Sequence, residues 1–434
     1  MTDFKKQNLE EKIFKLTSEY YREYHENIEF KPGVTKIGYA GRVFDQYDMI
    51  NGVKSMLDYW LTSGPFTEKF ETLMQNYFNS SRALLVNSGS SANLLMMATL
   101  CSKNIPNHLK EGDEVITPAV TFPTTLTPIV QNNLVPVFVD CNPGEYNIDT
   151  SKIENAITDK TRCIFIPHTV GIPADMEKLI EIAEKYKLFL LEDGCDCLGA
   201  KWDGRLMGTF GDMSSISFYP AHHMTMGEGG MVIVNNRLMR KNALSIRDWG
   251  RDCWCDPGQN DTCGKRFEWQ LGELPFGYDH KYIYSNLGYN LKATDMQAAL
   301  GCSQFDKLPS FIKARQDNAN YYLESFSDLS DKFILPKIPN KAEPSWFGFP
   351  VTLKDNVDKI KFVSWLEESK IETRQVFGGN ILKQPGFMNI NHRISGNLDG
   401  TNKIMSNTIF FGVYPGITED MREYVVDKIY SFFK

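Results

Sequence analysis

The sequence is 434 residues long, 42% hydrophobic and 23% charged, with a net charge of −7. A chain of this size buries a large core and is expected to hold one big domain and a smaller one. With no basic block it lacks the electrostatic footprint of nucleic-acid binding, and no apolar run is long enough to cross a membrane, so a cytoplasmic location is expected.

Residues 1–60 read as an N-terminal helical segment, with a charged amphipathic helix over its first 28 residues and no apolar leader. Residues 61–330 read as the large domain. It opens with Gly64-Pro65-Phe66-Thr67, a turn into a helix, followed by a strand at Ala83–Val86. Next come the small residues Asn87-Ser88-Gly89-Ser90-Ser91 and a helix over Leu94–Leu100. Small residues between a strand and a helix leave backbone N–H groups free, which suits a phosphate. No GxxxxGK is present, so a nucleoside triphosphatase lacks its motif.

Strands are expected at Glu114–Val120, Val135–Asp140, Arg162–Pro167 and Lys187–Leu191, with a helix at Lys178–Tyr186. That alternation implies a mostly parallel sheet with ligand chemistry at its carboxyl edge. Two motifs fall at such edges, Thr121-Phe122-Pro123 and Leu190-Leu191-Glu192-Asp193. A strand at Met213–Phe218 then leads through His222-His223 and the turn Gly227-Glu228-Gly229-Gly230 into a strand at Met231–Val234. Residues 249–290 have little periodicity and carry three cysteines among many aromatics, which marks a functional loop. The phrase Gly288-Tyr289-Asn290-Leu291 precedes a helix over Ala293–Phe305 that continues to about Ser327. Residues 331–434 read as a small domain with strands at Phe347–Leu353, Glu372–Phe377 and Thr408–Val413, and helices at Asn356–Lys370 and Glu419–Phe433.

The run from Ser217-Phe218 to the Gly-Glu-Gly-Gly turn resembles the cofactor-anchoring segment of pyridoxal-phosphate enzymes of the aspartate-aminotransferase fold (fold type I), the sugar aminotransferases above all. The resemblance implies an α/β fold with a large, mostly parallel sheet domain and a smaller C-terminal α+β domain. It implies that Phe122 stacks on the pyridine ring and that Asp193 holds its nitrogen protonated. Gly89, Ser90 and Ser217 would hold the phosphate, and Asn290 would reach the phosphate of a neighbouring subunit, making a homodimer the working unit. His222 stands where that family has its Schiff-base lysine. Imidazole forms no stable imine with the cofactor aldehyde, so lysine-type transaldimination is excluded, whereas a histidine remains a proton carrier near neutral pH. His223 is a candidate for a neighbouring hydrogen bond.

Nine cysteines, an odd number in a chain without an export signal, are expected as reduced thiols. Cys253-x-Cys255 and Cys263 offer three ligands to one centre, and Cys195, with 57 residues before Cys253, offers a fourth; Cys197 competes with it. Spacing alone leaves iron–sulfur and structural zinc open. Cys195 is two residues from Asp193, at most about 7 Å between Cα atoms, so a centre on it lies close to the ring. The C-x57-C-x-C-x7-C pattern, with His for Lys, resembles the small family of CDP-6-deoxy-L-threo-D-glycero-4-hexulose 3-dehydrases. That resemblance implies a 2Fe-2S cluster on Cys195, Cys253, Cys255 and Cys263, and pyridoxamine 5′-phosphate (PMP) as cofactor. It also implies C3 dehydration of a CDP-4-keto-6-deoxyhexose in 3,6-dideoxysugar (lipopolysaccharide O-antigen) biosynthesis, with His222 as base and electrons from an NADH-dependent flavin iron–sulfur reductase. The alternatives are a GDP- or TDP-sugar dehydrase and a catalytically inactive binding or regulatory protein with a zinc site.

Overall fold

The computed structural model describes residues 2–26, 29–255 and 258–434. Helix α1 (Thr2–Tyr24) follows the amphipathic pattern; Asn27 and Ile28, at the end of the expected helix, lie outside the described residues. Helix α2 (Gln46–Asp58), which the apolar pattern did not reveal, is started by a reciprocal cap: Asp45 accepts from the Tyr47 and Asp48 amides, and Asp48 accepts from the Asp45 amide. Helix α3 (Pro65–Phe78) begins at the Gly64-Pro65 turn, where proline's missing N–H costs nothing.

The chain then alternates: β1 (Arg82–Val86), α4 (Gly89–Leu100), β2 (Glu114–Pro118), α5 (Pro123–Gln131), β3 (Val135–Val139), α6 (Ile153–Ala156), β4 (Thr161–Pro167), α7 (Met176–Tyr186) and β5 (Phe189–Asp193). A short ribbon, β6 (Lys201–Trp202) and β7 (Arg205–Leu206), precedes the hairpin β8 (Met213–Ser217) and β9 (Gly230–Val234), then α8 (Arg240–Arg247). Among the boundaries that differ from the sequence reading, two have a clear local cause. Helix α4 starts at Gly89 because the Ser88 hydroxyl accepts from the Ser91 amide. Strand β5 starts at Phe189 because Lys187 is the left-handed cap of α7, with φ 54°.

The long helix α9 (Asp295–Ser325) leads to β10 (Phe333–Ile334), β11 (Ala342–Glu343), β12 (Phe349–Leu353), α10 (Lys359–Glu368), β13 (Thr373–Arg374), β14 (Arg393–Ile394), α11 (Asp399–Asn407), β15 (Thr408–Phe411) and α12 (Glu419–Phe433). Helix α10 is shorter than its apolar pattern: Asp358 caps it and Lys370 is left-handed, with φ 66°. The strand expected over Glu372–Phe377 stops at Arg374, ahead of left-handed turns at Phe377 and Gly379.

The main sheet has the order β1-β9-β8-β5-β4-β2-β3-β14, parallel throughout except for β9, which runs antiparallel to both β1 and β8. Alternate residues face opposite layers. Val86, Val115, Phe165 and Val232 pack under α4, α5 and α8. Ile116, Ile164 and Leu190 pack on α7, while Leu85, Ile216 and Ile233 pack on α3 and α9. Helices on both faces of a mostly parallel sheet make this an α/β fold. A second sheet, β10-β12-β15-β13, is sealed by α10, α12 and the C-terminal half of α9 around Phe349, Phe362 and Phe411. Among the described residues no helix is long and apolar enough to cross a membrane.

Candidate active site

Five of the parallel strands deliver residues to one edge: β1 to Gly89, β2 to Phe122, β4 to His168, β5 to Asp193 and β8 to Ser217. Together with residues 374–387 they line a cleft of about 730 Å³, the crevice that open α/β sheets reserve for ligands.

At its floor Asp193 accepts four hydrogen bonds, from Asn93 Nδ2 (2.7 Å), Thr125 Oγ1 (2.6 Å), Ser215 Oγ (3.2 Å) and the Cys195 amide (3.2 Å). Asn93 and Thr125 were not found from the sequence, because the contacts join positions 100 and 68 residues from Asp193. Next to it Glu192 is wholly buried. Burial alone would raise its pKa; His168 and the amides of Gly208 and Gly211 more than offset that and hold it below the usual range.

Gly89 opens helix α4 at the cleft wall. A Cβ there would stand 2.6 Å from Ser217 Cβ and 2.8 Å from Cys195 Sγ, so only glycine fits. The Gly89, Ser90 and Ser217 set is thus gathered around a helix N-terminus, the arrangement that binds a phosphate. Ser90 Oγ donates to Thr124 Oγ1 (3.1 Å). Phe122 is half-exposed over the cleft, 6.2 Å edge-on from Phe377.

His222 lines the cleft from the β8–β9 turn. Its Nδ1 lies 3.6 Å from Asp196 Oδ1, and its ring is 5.1 Å from Phe347. Burial, reinforced by the Arg315 charge, pushes its pKa down to about 4, so the imidazole is neutral at pH 7. Burial and the neighbouring Asp193 carboxylate push Asp196 up to about 8, so it is protonated there. Arg315, another residue the sequence did not single out, donates to the carbonyls of His222 (3.1 Å), Trp346 (2.9 Å) and Phe347 (3.2 Å), clamping the turn. His223 points away from the cleft, its Nε2 2.9 Å from the Ser345 carbonyl.

The remaining expected residues are not gathered here. Asn290 is exposed, accepts from Lys292 Nζ (2.8 Å) and does not line the cleft. Cys195 lines the cleft, whereas no residue of the 249–290 loop does. Within that loop Cys255 Sγ is 3.0 Å from Thr262 Oγ1 and Cys263 Sγ is 3.8 Å from His280 Nδ1; Asp256 and Pro257 lie outside the described residues. Among the described residues no three metal-binding side chains converge, so the four cysteines do not form a cage within one chain. All nine thiols are free, and Cys197 is buried beside the cleft floor.

A helix N-terminus set among small residues and a buried carboxylate at one edge of a mostly parallel sheet fit pyridoxal-phosphate enzymes of fold type I, and among the described residues that line this cleft there is no lysine. Comparison with known proteins agrees with that class. Residues 45–430 match the DegT/DnrJ/EryC1/StrS aminotransferase family, and the chain belongs to it. It is 46% identical over 429 residues to the lipopolysaccharide biosynthesis protein RfbH of Salmonella typhimurium, covering 98% of each chain. It is 45% identical to dTDP-4-dehydro-2,6-dideoxy-D-glucose 3-dehydratase of Saccharopolyspora spinosa, covering 97% of this chain and 92% of that one. Among solved structures it superposes on E. coli GDP-4-keto-6-deoxy-D-mannose-3-dehydratase with bound hydrated PLP, with a TM-score of 0.82 and 30% identity, covering 91% of this chain and 99% of that one. The chain is an enzyme of this cofactor class.

Proposed function

We propose that the protein is a PMP-dependent nucleotide-sugar 3-dehydrase that removes the C3 hydroxyl of a 4-keto-6-deoxyhexose in dideoxysugar biosynthesis. One observation carries the reading: His222, buried and neutral, lines a cofactor-type cleft that has no lysine among its described lining residues. The relatives named as 3-dehydratases support it, and CDP is proposed as the nucleotide on the resemblance to CDP-4-keto-6-deoxyhexose 3-dehydrases, with GDP and TDP as the alternatives.

The residues fit the cofactor. Gly89, Ser90 and Ser217 would hold its phosphate, Phe122 would lie against its ring, and Asp193, fixed by four donors, would face the ring nitrogen. When bound, PMP supplies an amine for the sugar ketone and a ring that accepts electron density. With the cofactor bound, His222 would serve as the base at C4′: burial keeps its imidazole neutral, Arg315 holds its backbone carbonyl, and Phe347 packs 5.1 Å from its ring. A conventional aminotransferase would need an amine at that place, and imidazole is not one.

The proposal includes a homodimer in the cytoplasm, with Asn290 directed at the neighbouring subunit's cofactor phosphate. It also includes a 2Fe-2S centre on Cys195, Cys253, Cys255 and Cys263, charged by an NADH-dependent reductase. Spacing and free thiols support the centre, but the single folded chain does not bring the four together, so it requires the loop to move or a second chain to supply it. Iron and acid-labile sulfide in protein prepared without air test that part; zinc instead would favour the inactive-protein alternative. The dehydrase reading is tested with His222→Asn, which should bind PMP as wild type does and lose hydrogen exchange at C4′. Undiminished exchange in that variant removes His222 from the base role.

A further inference from the structure

Four aspartate, glutamate, lysine or arginine side chains line the cleft, and three of them are acids: Asp193, Asp196 and Glu228. The fourth, Arg374, is the single lysine or arginine among the described lining residues. It ends the edge strand β13, opposite Phe410 of β15, and lines the same cleft as the α4 terminus. Its guanidinium lies over Tyr39, 4.1 Å from the ring centroid. Nη1 donates to the Thr373 carbonyl (2.7 Å), and Nη2 is 3.5 Å from Glu372 Oε1. Glu372 pairs with Lys36 as well and accepts from the Tyr39 amide (3.3 Å), so one carboxylate serves two cations and the cluster keeps a net positive charge. The other guanidinium N–H groups have no protein partner among the described residues and open on the cleft. Arg374 is therefore a pre-oriented guanidinium in a cluster with surplus positive charge, and a guanidinium can bind phosphate oxygens bidentately.

The geometry points to Arg374 as the anchor for the diphosphate of the nucleotide sugar, which separates two anion sites in one cleft. The Gly89–Ser90 terminus of α4 takes the cofactor phosphate, and Arg374 takes the substrate's. A nucleoside diphosphate entering elsewhere would find no lysine or arginine among the described lining residues there and would meet the Glu228 carboxylate. The inference rests on the nucleotide-sugar reading above and deepens it. Gln375 and Gln384 flank the same wall and provide neutral polar contacts for the remainder of the nucleotide.

The test is calorimetric titration of the full-length, PMP-loaded protein with CDP, GDP and dTDP, and with the matching nucleosides. Wild type should bind at least one diphosphate. Arg374→Gln should weaken that diphosphate about ten- to hundredfold, the loss of charged hydrogen bonds, and leave nucleoside and PMP affinity unchanged. Arg374→Lys, which keeps the charge and loses the fork, should fall between them. Diphosphate binding by Arg374→Gln at wild-type strength would overturn the assignment, as would equal weakening of nucleoside and diphosphate. If wild type binds none of the three diphosphates, the nucleotide-sugar reading falls first, and the assignment with it.

Discussion

Replacing Asp196 by asparagine should flatten the decline of stability between pH 6.5 and 8. Two groups beside each other set the slope. His222, lowered from 6.5 to about 4, stays neutral in the folded chain while the unfolded chain takes up a proton between those values, so its contribution makes stability rise with pH there. Asp196, raised from 3.8 to about 8, keeps a proton that the unfolded chain releases, so its contribution falls with pH across that whole interval. Below pH 6.5 the two slopes oppose and largely cancel. Above it only Asp196 remains, at about 1.4 kcal/mol per pH unit, or roughly 2 kcal/mol by pH 8. Urea denaturation of the cofactor-free protein at several pH values would measure it. The stability difference between wild type and Asp196→Asn should shift by roughly 2 kcal/mol in favour of the variant from pH 6.5 to 8. Parallel curves for the two proteins would show that Asp196 is ionised throughout and that the buried, proton-bearing pair with His222 does not exist.

Gly89→Ala places a methyl group within 2.6 Å of Ser217 Cβ and 2.8 Å of Cys195 Sγ. It should cost about 1–3 kcal/mol in thermal unfolding and weaken PMP binding measured by absorbance titration; a variant that binds PMP normally would remove that terminus from the phosphate site. Glu71 receives Arg247 Nη1 (2.7 Å) and the Leu85 amide (2.9 Å) inside the protein. Glu71→Ala strands the buried guanidinium, to which Asp248 remains the only carboxylate hydrogen bond among the described residues. It should destabilise the fold by about 3 kcal/mol in denaturant titrations, and a loss below about 1 kcal/mol would refute the pair's importance.

The sheet was legible because its strands are short apolar runs whose ends carry the chemistry: Asp193 and Ser217 stand at the last residues of β5 and β8. Helices α2 and α5 were not. Helix α5, PTTLTPIVQ, carries two prolines and three threonines and reads as a loop; it is helical because Pro123 opens it and Leu126 and Ile129 are buried against the sheet. Contacts between distant positions left no sequence trace. Asn93 and Thr125 meet Asp193 only once α4 and α5 lie side by side, and Arg315 reaches His222 only because α9 passes beneath the hairpin. The cysteine spacing told which thiols to compare but not where the chain would put them, since loop 249–290 is placed by Lys241–Asp252 and Ser102–Asn286 contacts that no periodicity encodes.

Strand β14, only two residues long, docks on β3 at the rim of the main sheet, although the chain reaches it after most of the second sheet has been made. Arg393 reinforces that seam through a two-pronged grip on Glu114 (2.9 and 2.8 Å). The two lobes are thus sewn together behind the cleft, and severing the chain near residue 330 would leave each fragment with a raw sheet edge or a missing neighbour. A second seam, β11 paired with β6, joins the same two lobes, so the wall that carries Arg374 is tied to the main-sheet lobe at two places.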